Sequence, residues 1–408
     1  MAPVIPRFAP QFEIAISGKP LPAALRAAII KVSYQDGLEG ADRVEITIAN
    51  DGLRWLEDPL LQVDNKLTLS IGYAPDSPER VFVGEITGVG ASFPNSGMPT
   101  VTVVAHDFLQ RLTAGSRDRA FQIPVPCIGS FPLPDPAVVA LVAGVDLLIP
   151  KLDPVGAALS FLTLLLAYAI DPLDAKKAVR IQQGESDFDF LSKVARENGW
   201  EMYIDHQAEP QGYRLRFQFL MGVQDYKPSV RLVWGASLIE FNPRVSTVGQ
   251  VFGISTRIWV SAIKMEFVIV LSWDFDKGGF SFEVYPGLGS LDAVLGGKKA
   301  QGVLRVDAVG PASAPKQILS ELLPRLNSRI TATGSTMGDP RIKAGKVVDV
   351  AGIGDPFGGL YRVTTATHTL DSGGYRTQFD LRKEVWFGGL AAPKGAGGLL
   401  RVQGQAVR

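Results

Sequence analysis

The 408 residues would fill two to four domains of roughly 100–200 residues each, enough to bury several cores without metals or disulfides. Lys plus Arg equals Asp plus Glu at 41 each, so there is no positive surplus to gather phosphate backbones or anionic lipid, and nucleic acid is not an expected partner. A single cysteine, Cys127, excludes an internal disulfide, and with only His106, His206 and His368 beside it no Cys/His zinc site can be assembled, which leaves carboxylate-only sites open to a metal.

Met1 to Phe12 is Pro-rich and lacks the basic, apolar and small-residue regions of a secretory signal. From Phe12 to Leu112 the hydrophobic period is two: Phe12, Ile14 and Ile16, then Val44, Ile46 and Ile48, then Leu67, Leu69 and Ile71, then Val101, Val103 and Ala105. Asp36-Gly37, Asn50 to Gly52, Ala74 to Pro78 and Pro94 to Pro99 punctuate these runs with turn residues, so residues 1–115 read as a small antiparallel sandwich or barrel, the first β-unit of the chain.

Residues 116–180 change in texture, with only Asp135, Asp146, Lys151 and Asp153 charged between Ala120 and Ile170, and read as an apolar helical insertion. Its uncharged run from Pro154 to Ile170 is 17 residues, the lower limit for crossing hydrocarbon, and is expected to be a buried or partner-covered helix. Leu159, Phe161, Leu162, Leu165 and Tyr168 are the candidate partner-contacting residues, and membrane contact is the alternative use.

Residues 181–238 read as a small α+β domain. Ser186 and Asp189 resemble a capping box at the head of FDFLSKVARENG, Asn198-Gly199 supplies a left-handed stop, and Trp200 to Ile204 with Tyr213 to Phe219 form a hairpin. Residues 239–388 read as a second β-barrel that includes a helix over 315–329, bent or broken by Pro324, and residues 389–408 as a flexible Gly/Ala-rich tail. The expected class is β-rich α+β, two similar barrels separated by the insertion and the small domain.

The two ends are self-similar. Asp58-Pro59 corresponds to Asp339-Pro340, Leu67 and Leu69 to Val348 and Val350, and Phe82-Val83-Gly84 to Phe357-Gly358-Gly359 after a shorter loop. Val89 then falls near Val363, and Val101 and Val103 near Thr377 and Phe379, the order expected of a duplicated β-unit.

At these residues the chain resembles a known family. The stretch GDPRIKAGKVVDVAGIGDPFGGLYRVTTATHTLDSGGYRTQFDLRK resembles the carboxyl-terminal signature of the phage late control gene D proteins, the baseplate hub family that also forms the body of type VI secretion spike proteins. VFVGEITGVGASF with VTVVAHDFLQRL, QQGESDFDFLSKVARENGWEMYI and QFEIAISGKPLP resemble the same family in the same order. The resemblance implies structural roles for Gly84, Glu85, Asp339, Pro340, Gly345, Gly359, Tyr361, His368, Gly374, Tyr375 and Thr377. It also implies a non-enzymatic homotrimer without cofactors, assembled in the bacterial cytoplasm, that adapts a sixfold inner tube to a threefold spike around a channel.

Its implied partners are further copies of itself, the spike protein, the inner tube or a tube initiator, and other baseplate subunits. The sequence departs from fused spike proteins in ending soon after the second barrel, so a separate spike polypeptide is expected.

An enzymatic reading, such as a tail-mounted cell-wall hydrolase, needs a triad or a carboxylate pair in a cleft. His106-Asp107 lacks a nucleophile elbow and reads as strand and turn. Asp187 and Asp189 suit the first turn of a helix, Asp274 and Asp276 a hairpin, and Glu85 a strand ion pair. The glycines at 287, 289, 296 and 297 lack the phosphate-loop pattern.

Overall fold

The computed structural model describes residues 9–125, 129–170, 175–176, 178–219, 227–246, 253–260, 263–274, 279–286, 303–307 and 314–387. The first region comprises β1 (Ala9–Ile16), β2 (Lys19–Pro20), α1 (Ala23–Ala27), β3 (Ile29–Gly37), β4 (Arg43–Ala49), β5 (Lys66–Ala74), β6 (Glu79–Ser92) and β7 (Thr100–Asp107). Every second residue of β4 and β7 is buried and the residues between are at least partly exposed, the alternation of a half-buried strand. The strand order is β1–β5–β6–β7–β4–β3, with every neighbouring pair antiparallel. Ile14, Val32, Ile46, Leu69, Ile86 and Val103, one from each strand, share one core.

The middle region comprises β8 (Arg117–Val125), β9 (Gly129–Pro132), α2 (Asp135–Val145), β10 (Ile149–Leu152), α3 (Pro154–Ile170), β11 (Arg180–Glu185), α4 (Asp187–Glu197), β12 (Trp200–Ile204) and β13 (Arg214–Phe219). At the head of α4, Ser186 Oγ accepts the Asp189 N–H at 3.0 Å. The shorter carboxylate of Asp189, one methylene less than Glu, accepts from the Ser186 hydroxyl at 2.7 Å instead of reaching the backbone N–H. The expected division at residue 180 separates residues that share a core. Val138, Val142 and Leu148 meet Leu191, Trp200 and Phe217, because β10 adds in parallel to β13 of the hairpin.

The last region comprises β14 (Val230–Val233), β15 (Leu238–Val245), β16 (Gly253–Val260), β17 (Met265–Asp274), β18 (Gly279–Pro286), β19 (Val303–Asp307), α5 (Ala314–Asn327), β20 (Ile330–Met337), β21 (Val347–Ala351), β22 (Gly359–Asp371) and β23 (Gly374–Arg382). β16 to β19 form their own four-stranded sheet, and α5 supplies Ile318, Leu322 and Leu326 to the core beside it. Of the expected bend or break at Pro324, the break does not occur, and one helix runs through it. Burying three large aliphatic side chains at about 1.5–3 kcal/mol each outweighs the roughly 3 kcal/mol cost of an interior proline. Asp276, the four glycines at 287–297 and the tail beyond residue 387 lie outside the described residues.

The remaining strands run β14–β21–β22–β23–β20–β15, the same order as the first region. Two irregularities of each ladder fall at equivalent places. The register shifts between Ile86 and Gly88 and between Val363 and Thr365, and again between Ile29 and Lys31 and between Leu238 and Glu240. The Asp-Pro turns also match: Asp58 Oδ1 accepts the Leu60 N–H at 2.9 Å and Asp339 Oδ1 the Arg341 N–H at 3.1 Å. Asp64 and Gly345, at φ +70° and +78°, donate to the carbonyls of Ile86 and Val363.

The ladders correct part of the sequence alignment. Leu69 pairs with Phe82 whereas Val350 pairs with Gly359, so Phe82 corresponds to Gly359 and Gly84 to Tyr361, two residues beyond the shared Phe-x-Gly. Val89 pairs with Val103 and Ala366 with Phe379, so the counterpart of Val89 is Ala366 and not Val363.

The copies also differ, and among the described residues the first alone carries β2, α1 and a register shift between Leu69 and Ser70. β14 runs parallel to β21 where β1 runs antiparallel to β5, and the second copy carries β16 to α5 between β15 and β20. Among the described residues neither ladder closes on itself by strand pairing. Instead β22 pairs with β3, from Thr365 opposite Gly37 to Leu370 opposite Val32, and fuses both copies into one thirteen-stranded sheet.

Candidate interaction site

α3 is apolar all round, and it buries its small residues while most of its large ones face outward. Asp153 Oδ1 caps it by accepting from Val155 and Gly156 N–H at 3.0 and 3.1 Å. Its buried residues are small: Gly156, Ser160 and Ala167. A Cβ at Gly156 would lie 2.5 Å from Trp200 Nε1 and 2.9 Å from Phe219 Cβ, so the close approach requires glycine. Leu159, Phe161, Leu162 and Leu165 are 42–51% exposed, and Leu166 joins them at 51%. Tyr168, the fifth candidate, is instead half-buried, its ring 5.3 Å from that of Phe131. α2 packs on α3 and adds exposed Leu141 and Val145. No helix among the described residues is long and apolar enough to cross a membrane.

His368, Tyr375 and Thr377 of the signature meet beside the strand pair that joins the copies. His368 is fully buried, with Nδ1 2.8 Å from the Tyr375 hydroxyl and 3.1 Å from Thr377 Oγ1, and Nε2 2.9 Å from the Ile342 carbonyl. Nε2 therefore carries the proton and Nδ1 accepts. Burial pushes the imidazole down to about 4, so the ring is neutral at ordinary pH. It stacks on Tyr34 of β3 at 5.7 Å, and Thr377 Oγ1 accepts the Asp339 N–H at 3.0 Å. Pro340 is buried in the same turn, and Tyr361, also buried, donates to the Phe357 carbonyl at 2.6 Å. Gly359 and Gly374 have φ of +103° and +104°, where glycine is required. Gly84 meets the backbone so closely that a Cβ would lie 2.1 Å from the His106 carbonyl oxygen. Glu85 pairs with Arg111, whose guanidinium lies 4.3 Å over the Phe108 ring.

Two buried polar groups were not legible in the sequence. In the first, His206 Nε2 lies 2.9 Å from Asp42 Oδ2 while Nδ1 accepts the Val83 N–H at 3.1 Å. Tyr34 donates to the same Asp42 oxygen at 3.0 Å, and nearby Asp36 accepts the Ala344 N–H at 3.0 Å, so all three regions meet here. Burial, then the Asp42 charge, raises the Asp36 carboxyl to about 8, and the same two causes raise Asp107. In the second, buried Arg362 pairs with Glu201 and Glu384, and Arg382 lies 2.8 Å from each of them, tying β12 to β22 and β23.

Asp42, Asp107 and His206 offer ligand atoms within 4.8 Å of one another. They do not fit a cation, because the Nδ1 that accepts a backbone N–H obliges Nε2 to keep its proton, and a metal there would need an imidazolate. His206 and Asp42 are 164 residues apart, a spacing no local motif reports.

No family model matches the chain, and no curated protein matches it in sequence. Solved structures do. The 43 kDa tail protein of prophage MuSo2 from Shewanella oneidensis matches with a TM-score of 0.60 and 13% identity over 91% of this chain and 98% of that one. A tail protein from Neisseria meningitidis matches with a TM-score of 0.60 and 11% identity over 93% and 98%. The E. coli c3393 protein, a type VI secretion component described as structurally similar to the T4 bacteriophage tail proteins gp27 and gp5, matches with a TM-score of 0.55 and 12% identity over 93% and 79%. The β-rich chain, with its large antiparallel sheet, thus shares a fold with phage tail and type VI secretion proteins.

Proposed function

We propose that this chain is the structural hub of a contractile tail or injection system, a homotrimer that adapts a sixfold inner tube to a threefold spike and encloses a channel. One observation carries the reading: a single polypeptide holds two β-units with the same strand order and the same two irregularities, joined edge to edge. Each unit is a tube-like barrel in this reading, and three chains present six nearly equivalent surfaces, which matches a sixfold ring without six identical subunits.

The channel wall is the polar face of the sheet. Thr333, Ser335, Thr365, Thr367 and Gln378 line a concave surface there with the carboxylates of Glu240 and Asp380, hydroxyl, amide and acidic side chains suited to water or passing cargo. The apolar face of α3 meets another baseplate subunit. Covering each half-exposed Leu or Phe contributes about 1 kcal/mol. The neighbouring solved structures are tail and secretion proteins, which favours a mechanical role over catalysis.

Light scattering on the purified protein, alone and with its spike partner, tests the reading. A mass three times the 43.9 kDa chain is expected, and a stable monomer in both conditions would contradict it.

A further inference from the structure

The internal joint between the two copies is half of a repeating pattern, and its other half is unfilled among the described residues. β22 uses one edge twice: Val347 to Val350 of β21 pair with its first part, and β3 pairs with Thr365 to Leu370. The equivalent strand β6 pairs with β5 through Glu79 to Glu85, but no described strand pairs with the same edge beyond Gly88. β15, the counterpart of β3, pairs on one side with β20 and lies at the end of the sheet on the other. The chain therefore presents one copy of each partner in the β3–β22 joint, on strands that do not meet.

Copying the internal register onto these edges gives a definite pairing. Thr365 opposite Gly37, His368 opposite Tyr34 and Leu370 opposite Val32 become Gly88 opposite Ser246, Ala91 opposite Pro243 and Phe93 opposite Phe241. The Leu38 N–H donates to the Thr364 carbonyl, which directs Asp36, Tyr34 and Val32 of β3 toward β22. The Ser246 N–H donates to Arg329, so by the same alternation Val245, Pro243 and Phe241 direct their backbone groups outward.

The side chains agree with this register on both faces. One face receives Val89 with Val245, Ala91 with Pro243 and Phe93 with Phe241, all apolar. The other receives Gly88 with Ser246, Gly90 with Arg244 and Ser92 with Asn242, small or polar throughout and continuous with the threonine-lined wall. In the internal joint the side chains corresponding to the apolar set, Ala366, His368, Leu370, Asp36, Tyr34 and Val32, are buried. In the single chain Val89, Phe93 and Val245 are 38%, 61% and 46% exposed. Pro243 stands where its missing N–H faces outward, the position proline tolerates on an edge strand. It removes one donor from the contact and discourages pairing with arbitrary strands.

We infer that the outer edge of β15 in one copy pairs antiparallel with Gly88 to Phe93, the end of β6 and the residue after it, in the next copy, in this register, so that the sheet continues from chain to chain. The inference rests on the homotrimeric reading and names the contact that closes it.

Cysteine cross-linking in a Cys127→Ser background tests it. Ser92 and Asn242 are both exposed and face each other as a non-hydrogen-bonded pair, with an expected Cα separation of about 4.5 Å, inside the range a disulfide spans. The Ser92→Cys/Asn242→Cys protein, mildly oxidised, should run as a covalent trimer on a non-reducing gel, while Ser92→Cys/Arg244→Cys, shifted by two residues, should not. A trimer by light scattering without the matched cross-link, or with the shifted pair linking better, would overturn the edge contact and leave the trimer standing. Matched cross-links that build chains longer than three would support the contact and overturn threefold closure. A monomer with no cross-link would overturn both.

Discussion

His368 and Asp36 sit on either side of the joint between the two copies and titrate in opposite senses. The folded pKa of His368 is depressed from 6.5 to about 4, so its contribution to stability is complete above about 6.5 and is lost as pH falls toward 4. That of Asp36 is raised from 3.8 to about 8, so its contribution is complete at low pH and is lost as pH rises toward 8. Over about pH 4 to 6.5 the two slopes oppose and largely cancel, so thermal melts should show a nearly level midpoint there and a fall from about 6.5 toward 8, where Asp36 alone acts. Asp36→Asn should remove the alkaline fall and uncover a midpoint that drops as pH goes from 6.5 toward 4, whereas His368→Gln should extend the alkaline fall down toward pH 4; unchanged profiles in both variants would remove these groups from the joint.

Glycines test geometry at the same scale. Gly84→Ala should cost about 3 kcal/mol or more, because the new methyl collides with the His106 carbonyl. Gly345→Ala, which meets no atom closer than 3.5 Å but has a positive φ, should cost only about 1 kcal/mol; chemical denaturation of both variants measures the difference. The sequence marked these residues, but it gave no sign of Asp42 with His206 or Arg362 with Glu201, since partners so far apart share no spacing.

α3 shows which features of an element are written locally. Its limits, Pro154 to Ile170, follow from the uncharged run between prolines, and its exposed leucines were anticipated as partner contacts. Its orientation was not, because a helix apolar on every side has no preferred face. Small residues decide it by letting the backbone approach Trp200 and Phe219. Leu162→Asp with Leu165→Asp should leave the melting midpoint within a degree or two and abolish binding to neighbouring baseplate subunits in a pull-down. Gly156→Val should lower the midpoint by several degrees; the reverse pattern would mean that α3 is anchored by its leucines.

The strands were equally legible one by one from their period of two, and α4 from its capping residues. Strand registers were less so, and the shared Phe-x-Gly misled the alignment because Phe82 fills a core within its strand whereas Phe357 precedes the equivalent strand. The addition of β10 to the hairpin was also hidden, since four residues carry too little pattern to name a distant partner.

Across the whole molecule, the duplication was visible as a faint echo of turns and strands and emerges in the structure as two equal strand orders with matched irregularities. The internal β3–β22 pairing then supplies the template for joining chain to chain. Val89→Lys with Val245→Lys should leave the single chain folded, as both side chains are exposed, and shift its mass in light scattering from trimer toward monomer. The most direct measurement is electron microscopy of the purified oligomer viewed end-on. Six similar lobes around an open channel with overall threefold symmetry are expected. A ring with any other number of lobes, or two visibly unrelated lobes in each chain, would contradict the account.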